Sequence, residues 1–93
     1  MALKIDRVSH GGTAYPPGSQ TDAPELTITV SGAVGTEEEV TIKSDRILLA
    51  SKKPHGDGTV QITVNNLQVG FYHFVAGQEG QQSSGQWTIE KTS

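Results

Sequence analysis

Apolar and polar residues alternate with a period of two along most of the chain, and turn-forming residues separate the alternating runs. Leu26, Ile28 and Val30 interleave with Thr27, Thr29 and Ser31, as in a strand with one face on a core. Val40 and Ile42 repeat the pattern with Glu39, Thr41 and Lys43 on the wet side, and Val60, Ile62 and Val64 repeat it again. Further on, Tyr72, Phe74 and Ala76 take the inward phase against Phe71, His73 and Val75, and Trp87 and Ile89 close the series. Leu3, Ile5 and Val8 mark a first strand, and Ile47-Leu48-Leu49-Ala50 is a shorter one without clear sidedness. No stretch carries the 3.6-residue period of an amphipathic helix. About seven short strands at roughly 8–12-residue spacing predict an all-β sandwich.

The connections fit that picture. Ser9 to Pro24 is rich in Gly, Pro, Ser and Thr and is expected to be a long connection with room for a short edge strand. Pro54-His55-Gly56-Asp57-Gly58 predicts a tight turn, and Gly77 to Gly85 a polar hairpin loop. Most telling is Leu67-Gln68-Val69-Gly70-Phe71-Tyr72. The glycine permits a positive φ where the chain crosses between sheets, and the tyrosine can bury its ring while its hydroxyl bonds nearby backbone. This tyrosine-corner pattern makes an immunoglobulin-like Greek-key sandwich the expected architecture. The expected core is Leu26, Ile28, Val30, Val40, Ile42, Val60, Ile62, Leu67, Tyr72, Phe74, Trp87 and Ile89.

The chain has 93 residues, predicting one domain over residues 1–93 with a single core and little spare material for a walled catalytic cleft. Ten acidic and seven basic residues give a net charge of -3, and Lys52-Lys53 is the only basic doublet. A nucleic-acid partner is therefore not expected. Absence of cysteine excludes disulfides, thiolate catalysis and cysteine-ligated zinc. The start, Met1 to Val8, has no hydrophobic core of a signal peptide, and no run reaches membrane-spanning length. The expectation is a protein made in the cytoplasm, with no membrane partner.

Candidate chemistry is sparse. His10, His55 and His73 lack the spacing of a metal set, so turn or solvent-exposed histidines are expected. Glu37-Glu38-Glu39 with Asp57 could suggest calcium, but an extended segment would send alternate glutamates to opposite faces. No Gly-x-Ser-x-Gly elbow or deep-cleft carboxylate pair is legible. No enzymatic activity, metal or cofactor is expected. Contact residues are expected instead: Tyr15 in the proline-rich loop, and Phe71 and His73 on the outward phase of their strand.

The same residues resemble a family pattern, the bacterial immunoglobulin-like repeats of large pseudomonad surface proteins. The matching pieces are Val8 with Gly12-Thr13, Thr27 to Gly32, Val40-Thr41-Ile42, Asp57-Gly58-Thr59, and Leu67 to Gly70 running into Phe74 and Ala76. Ser84 with Trp87-Thr88-Ile89 is similar to the terminal strand. The likeness spans nearly the whole chain, and its motifs determine fold. Stand-alone domains of this kind also occur on capsid and tail proteins of tailed bacteriophages, released by lysis without an export signal. The resemblance thus implies a non-enzymatic virion accessory protein, decorating a capsid or tail through a coat or tail subunit, with weak surface adhesion as an added role. Its alternative is an isolated adhesin repeat on a bacterial cell surface, packed against neighbouring immunoglobulin-like domains. A third reading, a small carbohydrate-binding module with a cell-surface glycan as partner, rests on Tyr15, Phe71 and other loop residues.

Overall fold

The computed structural model describes residues 2–93. Among the described residues nine strands follow one another: β1 Lys4–His10, β2 Thr13–Ala14, β3 Ser19–Thr21, β4 Leu26–Ser31, β5 Val40–Ser44, β6 Ile47–Lys52, β7 Val60–Val64, β8 Gly70–Gly77 and β9 Trp87–Lys91. They form a four-stranded sheet ordered β2-β1-β4-β7 and a five-stranded sheet ordered β3-β9-β8-β5-β6, the arrangement of a β-sandwich. The strands foreseen from the alternation are all present; β2 and β3, the two shortest, lie in the Ser9–Pro24 connection. The chain changes sheet after β4, returns after β6 to lay β7 against β4, and changes again after β7 to lay β8 against β5.

One core fills the space between the sheets. Ile5, Val8, Leu26, Ile28, Val30, Val60, Ile62 and Val64 come from one side, and Val40, Ile42, Phe74, Ala76 and Ile89 from the other. Each occupies the inward phase of its strand, since successive side chains alternate across a pleated sheet. Leu67, Tyr72 and Trp87, expected in the core, are only half-buried and pack against its margin. For Tyr72 the cause is strand length: β5 ends at Ser44, opposite Phe74, so Tyr72 projects past the last β5 residue. Its ring stacks on Phe74, with centroids 5.6 Å apart.

The corner forms as the sequence predicts. The Gln68 N–H donates to the Tyr72 hydroxyl across 2.7 Å, and Gly70 adopts a φ of 137°. The second glycine that the fold requires is Gly32. It has a φ of 83°, and a Cβ there would lie 2.5 Å from the Ala2 carbonyl oxygen. The Ser9–Pro24 arm is the long connection expected, carries the short strands β2 and β3, and has its backbone pinned at several points. Tyr15 N–H bonds the Val8 carbonyl, Gly18 N–H the Thr88 carbonyl, and β3 pairs in parallel with β9 from Ser19 to Thr21.

Candidate functional site

The outward face of the five-stranded sheet is set by register. Lys43 pairs with Leu48 on one side and Val75 on the other, which places one row across β6, β5 and β8. The next row joins His73 to Thr88, and a third joins Phe71 to Glu90, whose carboxylate accepts from the Gln20 amide at 2.8 Å. Phe71 is 62% exposed and Leu48 55%. Ile47, at the start of edge strand β6, is 65% exposed. By register Leu48 and Phe71 lie two rows and two strands apart on this face, and Ile47 belongs to the row of buried Ser44 and Phe74. These are separate exposed apolar side chains on one sheet and not a continuous patch.

A depression of about 320 Å³ lies in this face, lined by Lys43, Asp45, Arg46, His73, Val75 and Gln86. His73 is half-buried, not the solvent-exposed or turn residue expected, and its Nδ1 lies 3.0 Å from the Thr88 hydroxyl. Its backbone N–H donates to the Ser44 hydroxyl at 2.9 Å. The Thr88 contact holds the imidazole against the sheet, and the Ser44 bond fixes the backbone that carries it. Of the expected contact residues, Phe71 and His73 therefore share one face.

Tyr15 lies elsewhere. Half-buried against the core, it borders a cleft of about 210 Å³ with Trp87, whose indole N–H donates to the Tyr15 carbonyl at 3.1 Å. His10 ends β1, and His55 sits exposed in the 54–58 turn. The three histidines are not brought together, and among the described residues no group of three or more His, Cys, Asp or Glu is placed to hold a metal ion.

Glu37, Glu38 and Glu39 differ from expectation in one respect. Glu37 and Glu38 lie in a bend and Glu39 directly precedes β5, so strand alternation does not separate the three, and all border a concavity with Glu79. Glu39 accepts a 2.9 Å bond from the Ser51 hydroxyl. Behind this concavity is a residue that sequence reasoning missed. Gln78 is buried, and its amide accepts from Val34 N–H and donates to the Val34 and Glu38 carbonyls. It staples the 33–38 loop to the end of β8. Nothing in a polar, glycine-rich loop sequence distinguishes it from its exposed neighbours Gln82 and Glu79.

The class that the fold defines is a small all-β domain of two sheets, in keeping with a structural or binding module. No family model matches this chain, and comparison with curated proteins and with solved structures finds no match to it.

Proposed function

We propose that the protein is an immunoglobulin-like, non-enzymatic accessory module of a phage particle, seated on a coat or tail subunit through the outward face of its five-stranded sheet. Exposure of Phe71 and Leu48 on that face carries the contact reading. Burying two such side chains against a partner is worth about 1.5–3 kcal/mol each, while leaving them in water contributes nothing to the domain's own core. The rigid sheet behind them keeps the ordering cost of docking low. The immunoglobulin-like assignment is supported by the order of sheet crossings and by the Gln68–Tyr72 corner bond. The virion setting is supported by the sequence resemblance to stand-alone phage domains.

Mass spectrometry of purified particles is the test. The chain should pellet with virions, and a Leu48→Ser/Phe71→Ser variant should remain folded but stay in the supernatant. Exposed substitutions of this kind ordinarily alter stability by no more than about 0.5 kcal/mol. A chain missing from every virion, or a double variant that still pellets, overturns the reading.

A further inference from the structure

Where β1 of one sheet meets β9 of the other, the fold builds a small cleft with an unusual lining. Pairing of β1 with β4 slips between Ile5 and Arg7, so Asp6 is an extra residue in the strand. Such a bulge re-aims side chains. Asp6 and Arg7 are consequently both exposed, where strict alternation would bury one of them, and both border the cleft. A carboxylate acceptor and a guanidinium donor stand next to each other at its rim.

The other walls are apolar and already fixed. Tyr15, Pro16 and Trp87 line the cleft with Val8. Tyr15 is anchored by its N–H to the Val8 carbonyl at 2.7 Å. Trp87 spends its indole N–H on the Tyr15 carbonyl, so the indole can offer a ligand its ring but no donor. The half-buried Trp87 ring, held by that bond, loses little freedom when a ligand enters. The volume of about 210 Å³ equals roughly seven waters at ~30 Å³ each. It falls below the roughly 300–1,000 Å³ of drug-sized sites, which suits one ring and not a chain of them.

We propose that this cleft binds a single pyranose ring of a neutral glycan. The C–H face of a sugar ring is apolar and stacks on aromatic side chains, while adjacent hydroxyls can donate to Asp6 and accept from Arg7. A purely apolar ring would desolvate both charged groups without offering either a hydrogen bond. A phosphate would meet the Asp6 carboxylate, and a proline-rich segment needs a longer aromatic groove. The proposal is independent of the virion reading, since it uses none of the residues on the Phe71 face.

Trp87 is the only tryptophan, so intrinsic fluorescence reports on the cleft directly. The full chain is titrated with glucose, galactose, mannose and N-acetylglucosamine, each to about 100 mM, and with pentaproline. At least one sugar should give a saturable change with a dissociation constant on the order of 1 mM. Asp6→Asn and Arg7→Gln should each weaken it about tenfold with an unchanged melting temperature, and Phe71→Ser should leave it intact. No saturation with any of the sugars overturns the proposal. So does a change that Asp6→Asn and Arg7→Gln leave untouched, or saturation by pentaproline alone.

Discussion

At the scale of single residues, Tyr72 and Asp57 make the clearest cases. The Tyr72 hydroxyl accepts the Gln68 N–H at 2.7 Å, while the ring is held separately by stacking on Phe74. Tyr72→Phe should keep the stack and lose the bond, costing about 0.5–1.5 kcal/mol. Urea denaturation should show a lower midpoint with an unchanged slope. Asp57 is fully exposed, yet its carboxyl is held below the ordinary Asp range, first by the Thr59 hydroxyl at 2.7 Å and then by the Thr59 N–H at 3.1 Å. A folded-state value below the unfolded one means that the ionised form contributes stability above about pH 3.9, which is lost as pH falls through the lowered value. Asp57→Asn keeps an acceptor in the turn but cannot titrate. Its melting temperature should therefore decline less steeply than the parent's below about pH 4. Tyr72 was legible because Leu67, Gly70 and Tyr72 stand at corner spacing; Gln78 was not, because its burial comes from the loop it bridges to.

Among the elements, the β5–β6 hairpin is the least settled by its own sequence. Ser44 pairs with Ile47, leaving Asp45 and Arg46 as a two-residue connection with φ values of 50° and 71°. Positive φ at both central positions is the requirement of a type I′ turn, which favours Asn-Gly or Asp-Gly because a Cβ is strained there. Asp45 adopts the conformation at less cost than Arg46, whose longer side chain gains nothing from the turn. Arg46→Gly should thus stabilise the domain by up to about 1 kcal/mol, read as a higher thermal midpoint. The register shift at Ile42/Lys43 leaves Leu49 as an extra residue in β6. Together with its edge position, this explains why Ile47 to Ala50 shows no alternation to read. β3 is a related case: three residues of a Pro/Gly-rich arm become a strand only because β9 lies beside them.

For the whole molecule, one core serves both sheets, and Phe74 is the largest side chain fully enclosed in it. Phe74→Ala should cost about 3–5 kcal/mol, against about 5–15 kcal/mol for a whole domain. For a chain of this size the melting temperature should fall by roughly 12 °C or more, measurable by near-ultraviolet dichroism. The sequence by itself determined the strands other than β2 and β3, which residues of β4, β5, β7 and β8 face inward, and where the corner lies. Those properties follow from local rules, namely a period of two, glycine at positive φ and a tyrosine at fixed spacing. Tertiary structure alone decided the parallel seat of β3 on β9, the burial of Gln78, the half-exposure of Tyr72 and Trp87, and the meeting of Asp6 and Arg7 with Tyr15 and Trp87 at one cleft. Each depends on which distant segment arrives alongside, as Gln20 meets Glu90 across 70 residues, and a local pattern holds no record of that partner.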